Sequence, residues 1–108
     1  MKAWVRVAEL GDIPPGQLLR VEVCGRLLCL ANVAGTIFAV DDDCTHISGP
    51  LDQGELEGHV LTCPVHLAQF DVRTGKVLRG PARDDLVSYR VRTDGTDILV
   101  EDPGSMES

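Results

Sequence analysis

Two short segments of this 108-residue chain carry residue types that bind metals, Cys44-Thr45-His46 and Cys63-Pro64-Val65-His66. Each couples one cysteine to one histidine, across one intervening residue in the first and two in the second, with sixteen residues between the pairs. Thiolate and imidazole are the soft and borderline donors that hold iron or zinc, and two chelating loops can present four such ligands around one inorganic centre. Unrelated core cysteines and surface histidines would not be expected to pair in this way. Yet two of the four cysteines and two of the three histidines do so. Zinc would accept two Cys and two His as a complete tetrahedral site. Zinc fingers usually place both cysteines on one knuckle and both histidines on a helix, whereas each segment here supplies one of each and no helical pattern surrounds them. Order and spacing therefore count against zinc.

These ligands must be positioned by what lies around them, and the surrounding sequence reads as all-β. Short runs of alternating or β-branched residues recur between glycine turns: Trp4 to Ala8, Leu18 to Val23, Arg26 to Ala31, Thr36 to Val40, His59 to Thr62, Gln69 to Val72, Leu86 to Arg92 and Asp97 to Glu101. Their connections have turn chemistry, in Pro14-Pro15-Gly16, Cys24-Gly25, Ala34-Gly35, Thr74-Gly75 and Asp94-Gly95. Several of these are hairpin signals. No segment of ten or more residues keeps a 3.6-residue apolar period. The pattern predicts a small antiparallel sandwich or barrel spanning residues 1–108 as one domain. The stretch from Asp41 to Leu56 breaks the rhythm with polar, Gly and Pro residues, long for a connection in so small a domain, and such loops usually carry function. The tail from Pro103 to Ser108 reads as flexible.

Composition bounds the partners. Hydrophobic residues make up 44% and charged residues 25%, which suits a globular chain, but aromatic residues are only 4%, so the core must rest on Val, Leu and Ile. That scarcity also leaves no stacking platform for single-stranded nucleic acid, and a net charge of -7 repels phosphate. A basic patch on another protein is the better-matched partner. Residues Met1 to Arg6 hold no apolar run of signal-peptide length, and no stretch approaches the length needed to span a bilayer. The expected location is the cytoplasm, where cysteines serve as ligands or buried thiols more often than as a disulfide framework.

The chain resembles the Rieske ferredoxins over nearly its whole length, and specifically those that serve aromatic-ring dioxygenases. The residues that carry the resemblance are Cys44-Thr45-His46 followed by Gly49-Pro50-Leu51, then Gly54 and Leu56-Glu57-Gly58, then Cys63-Pro64 with His66, then Phe70-Asp71-Val72-Arg73-Thr74-Gly75-Lys76-Val77. Gly80-Pro81-Ala82 matches the third, proline-containing cluster loop, so that the cluster loops lie at about residues 41–82. The resemblance implies one 2Fe-2S cluster, with Cys44 and Cys63 on one iron and His46 and His66 on the other. Two ferric ions, two sulfides, two thiolates and two neutral imidazoles sum to zero, whereas four thiolates would leave minus two. An electron is then easier to add, and the potential lies above that of a plant-type ferredoxin, within a range whose lower end is roughly -150 mV. The resemblance also places the histidine-bound iron at an exposed tip, where it should take the electron.

Departures from the wider family bear on that potential. High-potential relatives carry an extra cysteine in each cluster loop, joined as a disulfide, where this chain has Ile47 to Gly49 and Val65. They also place a serine two residues and a tyrosine four residues after the second histidine, whose hydroxyls donate to cluster sulfurs; Ala68 and Phe70 stand there instead. Fewer hydrogen bonds to sulfur stabilise the reduced state less, which predicts a potential at the low end of the class. Leu67 replaces the glycine that usually follows the second histidine, implying an adjusted loop there.

Outside the ligand pairs, Cys29 in Leu27-Leu28-Cys29-Leu30 reads as a buried thiol, Cys24 precedes a turn glycine, and His59 reads as a surface histidine at a strand edge. Asp41, Asp42, Asp43, Asp52, Glu55 and Glu57 flank the first ligand loop with no Lys or Arg among them, and basic residues gather between Arg73 and Arg92. The bland reading of the acidic residues is a solvated surface; the functional one is a rim that steers the cluster tip toward basic patches on partners. The resemblance implies an electron-transfer component without catalysis of its own, a monomer passing electrons from an NAD(P)H-dependent flavoprotein reductase to a terminal Rieske oxygenase. The alternative is the small subunit of an assimilatory nitrite reductase, which shares the fold but in many members lacks the ligands. No further His pair with a carboxylate is left for a mononuclear iron, so the chain is not expected to be an oxygenase itself.

Overall fold

The computed structural model describes residues 4–23, 25–42, 54–63, 68–80 and 85–101. Alternating apolar and polar residues, punctuated by turn glycines, form eleven strands among these residues. They are β1 (Trp4–Glu9), β2 (Leu18–Val23), β3 (Arg26–Val33), β4 (Thr36–Asp41), β5 (Glu55–Glu57), β6 (Val60–Thr62), β7 (Gln69–Asp71), β8 (Lys76–Arg79), β9 (Ser88–Tyr89), β10 (Val91–Asp94) and β11 (Asp97–Glu101), with a 3-10 turn at Leu10–Asp12 after β1. All pairings are antiparallel and give three sheets, ordered β1-β11-β10, β2-β3-β4-β9 and β5-β6-β7-β8.

The second of these sheets is central because both its faces are apolar. Successive side chains of a strand point to opposite faces, and β3 uses this to feed two cores. Cys29 and Ala31 pack with Val40, Leu61, Cys63, Ala68, Phe70, Val72 and Leu86, toward the β5–β8 sheet. Leu28 and Leu30 pack on the other side with Ala8, Ile13, Val23, Ile37, Ala39, Ile98 and Val100, toward the β1-β11-β10 sheet. The near-continuous apolar run of β3 is that of a strand covered on both faces.

Hairpin geometry fixes the register. Val33 pairs with Thr36, leaving Ala34-Gly35 as a two-residue loop whose φ angles of 53° and 99° are both positive. This is the sign pattern of the primed turn that matches strand twist, and it is unusual for alanine. The turn is held by the buried Asn32, whose Oδ1 accepts from the Gly35 amide at 2.7 Å while its Nδ2 donates to the Ile13 carbonyl at 2.8 Å.

The structure corrects three sequence expectations. The run from Leu86 to Arg92 is two strands, since the chain leaves β4 after Tyr89 and joins β11 from Val91, changing sheets at Arg90. Strand β5 begins inside the segment read as an irregular loop, and β8 was hidden in the same way, because a run with one or two apolar residues gives too little alternation to read. His59 lies in the turn between β5 and β6, half-buried, and its carbonyl accepts the Val72 amide at 3.0 Å. The tail 103–108 lies outside the described residues.

Candidate metal centre

Of the four expected ligands, Cys63 lies among the described residues, and Cys44, His46 and His66 lie outside them, as do Cys24, Asp43, Asp52, Val65, Leu67 and Pro81-Ala82. Cys63 directly follows β6, is fully buried, and is not in a disulfide. Its amide donates to the Ala68 carbonyl at 2.7 Å, extending the β6–β7 pairing by one step and bracketing residues 64–67. A thiol beside apolar residues at the mouth of a hairpin suits a soft metal held away from water.

The described residues that flank the two other segments expected to bear or cover a cluster are anchored just as firmly. Strand β4 ends at Asp41, where the first loop leaves. The Asp41 amide donates to the Val87 carbonyl at 3.0 Å and the Asp42 amide to the Leu27 carbonyl at 3.1 Å, so the chain is gripped from both neighbouring strands. Side chains add to this. Tyr89 Oη donates to Asp41 Oδ1 at 2.6 Å, and Arg20 Nε donates to Asp42 Oδ2 at 2.5 Å. Burial first, and then the donated hydrogen bond to Asp41, push the Tyr89 hydroxyl above the ordinary tyrosine range, so it stays a donor. The third loop is closed by Leu86, whose amide donates to the Gly75 carbonyl at 2.7 Å, and by Asp85, whose Oδ1 accepts the Val77 amide at 2.8 Å.

All three roots meet in one place. Val40 before the first loop, Cys63 and Ala68 on either side of the second, and Leu86 after the third belong to the same buried core. Sequence spacing gave the ligand pairs but not this convergence, which depends on long-range pairing of β4 with β9 and β6 with β7.

The acidic rim needs correction. Asp42 is buried and ion-paired with Arg20, so its charge is withdrawn from the rim, whereas Asp41 is half-buried and keeps its charge while accepting from Tyr89. Glu55 and Glu57, on one face of β5, are exposed. With Gly16, Gln17, Leu18, Gly54 and Leu56 they line a surface groove of about 490 Å³. Sequence reasoning missed Arg20 and Tyr89 because each lies more than twenty residues from its carboxylate, whereas Cys29 is buried as expected.

A family model described as the Rieske [2Fe-2S] domain matches residues 3–90. The ferredoxin component of the naphthalene 1,2-dioxygenase system of Pseudomonas putida is 38% identical over 98 residues, spanning 91% of this chain and 94% of that protein. The ferredoxin component of biphenyl 2,3-dioxygenase from Rhodococcus jostii (strain RHA1) is 38% identical over 104 residues, spanning 96% and 97%. Among solved structures, the ferredoxin of carbazole 1,9a-dioxygenase from Nocardioides aromaticivorans IC177 superposes with a TM-score of 0.88 at 33% identity, covering 91% of this chain and 96% of that one. A ferredoxin in a complex of reduced oxygenase and oxidized ferredoxin of carbazole 1,9a-dioxygenase gives the same TM-score at 30% identity, covering 96% and 97%. These likenesses favour a ferredoxin over a nitrite reductase subunit. With a buried thiol at the mouth of its second Cys/His loop and these relatives along almost its full length, the chain belongs to the Rieske [2Fe-2S] family and is a ferredoxin, an electron-transfer protein with one 2Fe-2S cluster and no catalysis of its own.

Proposed function

We propose that Cys44, His46, Cys63 and His66 are the four cluster ligands, and that the protein passes single electrons from an NAD(P)H-dependent flavoprotein reductase to a terminal oxygenase on a separate chain. The observation that carries this reading is the convergence of three loop roots on the core that holds Cys63. Residues 43–53 and 64–67, which contain the other three proposed ligands, adjoin positions held by this core. The oxygenase partner is supported by the complex of a related ferredoxin with its oxygenase. When bound, the cluster supplies a one-electron acceptor and donor. The chain's own residues would hold it beside the buried Cys63, away from water. A diffusing carrier of this kind acts as a cytoplasmic monomer, a single domain over 1–108, and Glu55 and Glu57 offer negative charge beside the first ligand loop to basic patches on its partners. No helix among the described residues is long and apolar enough to cross a membrane.

The test is ligand removal. Cys44→Ser and His66→Ala should each abolish the native cluster, read as loss of iron and acid-labile sulfide and of the Rieske electron paramagnetic resonance signal. Retention of two irons and two sulfides per chain in both variants would show that the ligands lie elsewhere.

A further inference from the structure

The ion pair between Arg20 and Asp42 sits at the root of the first loop. It joins β2 to the residue after β4, across the intervening β3, with a side chain that is fully buried on the carboxylate and 43% exposed on the guanidinium. Register shows which face it occupies. Arg20 stands opposite Cys29, and Asp42, whose amide bonds the Leu27 carbonyl, continues the β3–β4 pairing one step beyond Leu28 and Asp41. By strand alternation both side chains lie on the face of the central sheet that carries Cys29 and Val40, the face that packs on Cys63. Asp42 is also two residues from Cys44, so the chain can place no more than roughly 7 Å between their α-carbons.

A buried charged pair at this point is costly unless it does something, because apolar residues of similar volume would commonly stabilise the site as well or better. We propose that Arg20 and Asp42 are a positioning pair for the first ligand loop whose opposite charges help set the reduction potential of the cluster. The inference rests on the assignment of Cys44 as a ligand. Asp42 fixes the end of β4, two residues before Cys44 in the chain. Its carboxylate, by itself, disfavours the added electron, and the guanidinium of Arg20 offsets that. Removing either partner therefore has an effect of opposite sign. A purely structural brace would not behave so, since loss of either partner would loosen the same loop in the same direction.

The experiment measures midpoint potential by protein-film voltammetry on the holoproteins with Arg20→Met, Asp42→Asn, the double variant and Arg20→Lys. Arg20→Met is expected to make reduction harder and Asp42→Asn easier, each by about three- to tenfold in the equilibrium constant at an effective dielectric suited to a partly buried site. The double variant should return close to wild type, and Arg20→Lys, which keeps the charge, should stay there. If Asp42→Asn fails to accumulate as holoprotein, the half-exposed Arg20 carries the test through the contrast of its Met and Lys variants. Shifts of the same sign in both single variants, or potentials unchanged in Arg20→Met, would overturn the inference. Failure of the underlying assignment reads differently: Cys44→Ser would then keep the native cluster spectrum whatever the Arg20 variants do.

Discussion

Gly75 and Leu86 meet backbone to backbone. The Leu86 amide donates to the Gly75 carbonyl at 2.7 Å, and a Cβ built on Gly75 would lie 2.2 Å from the Leu86 carbonyl oxygen. Gly75 also has a φ of +83° and closes the β7–β8 turn through its amide, which donates to the Asp71 carbonyl at 2.6 Å. Any side chain here must push the chain that returns from the third loop away from the core that holds Cys63.

Gly75→Ala should accordingly cost about 3 kcal/mol or more, the sum of left-handed strain and a clash with backbone that cannot swing aside. Gly95→Ala is the control, with a φ of +64° and open space around it, and should cost about 1 kcal/mol. Urea unfolding of both variants separates the two contributions. Equal losses would mean that the approach of Leu86 imposes no constraint.

Asp71 gives a pH prediction in the same hairpin. Its carboxylate accepts from Arg73 Nε at 3.0 Å, from Nη2 at 2.9 Å and from the Arg73 amide at 2.9 Å, and the side-chain bonds from Arg73 foremost hold it below its ordinary value of 3.8. A lowered folded-state pKa adds stability above the unfolded value and loses it as pH falls through the folded one. The cost of Asp71→Asn should thus be full at pH 7 and shrink below about pH 4. Arg73 is half-exposed, so solvent screens the pair and the effect is modest. A cost independent of pH would assign the role of Asp71 to its shape alone.

The acidic residues near the first loop divide by role, and this changes which charges should steer association. Electron transfer to the oxygenase should slow with added salt, because attraction between exposed charges is screened beyond about 8 Å at physiological ionic strength. Glu55→Gln with Glu57→Gln should mimic salt and flatten the dependence. Asp41→Asn should instead lower stability, since it weakens the acceptor for Tyr89. Stopped-flow rates at several ionic strengths check both, and a rate indifferent to salt and to the glutamates would leave these charges a solvating role only.

How far the sequence could be read follows from the range of each signal. Cys63 with His66, the Ala34-Gly35 hairpin and strand β2 are local patterns, and β2 and β11 have the bounds expected from sequence, Leu18 to Val23 and Asp97 to Glu101. The sheet change at Arg90, the pairing of Tyr89 with Asp41 and the burial of Asp42 depend on partners tens of residues away, which no window of sequence contains. An aspartate run that reads as solvated charge became partly internal because Arg20 and Tyr89 were brought to it by strands β2 and β9.

The remaining prediction concerns the potential itself. Ala68 and Phe70 are both fully buried and share the core of Cys63, and Ala68 brackets the second ligand loop through its bond to the Cys63 amide. A hydroxyl introduced at either position enters a fully buried apolar core, where it gains a partner such as a cluster or thiolate sulfur or is buried unpaired at a cost. A hydrogen bond to sulfur favours the more negative, reduced state, which fixes the sign. Ala68→Ser and Phe70→Tyr should each raise the potential, by tens of millivolts on the scale in which about 59 mV is tenfold in a one-electron equilibrium. Phe70 pairs with Leu61 on one side and Val77 on the other, so its ring is held in place and its para position changes little in the variant. Denaturation of both variants distinguishes the two fates of the hydroxyl: a raised potential at little cost in stability means that it bonds to sulfur. An unchanged potential with a loss of about 1–3 kcal/mol means a buried, unsatisfied hydroxyl, and would end this explanation of a low-potential centre.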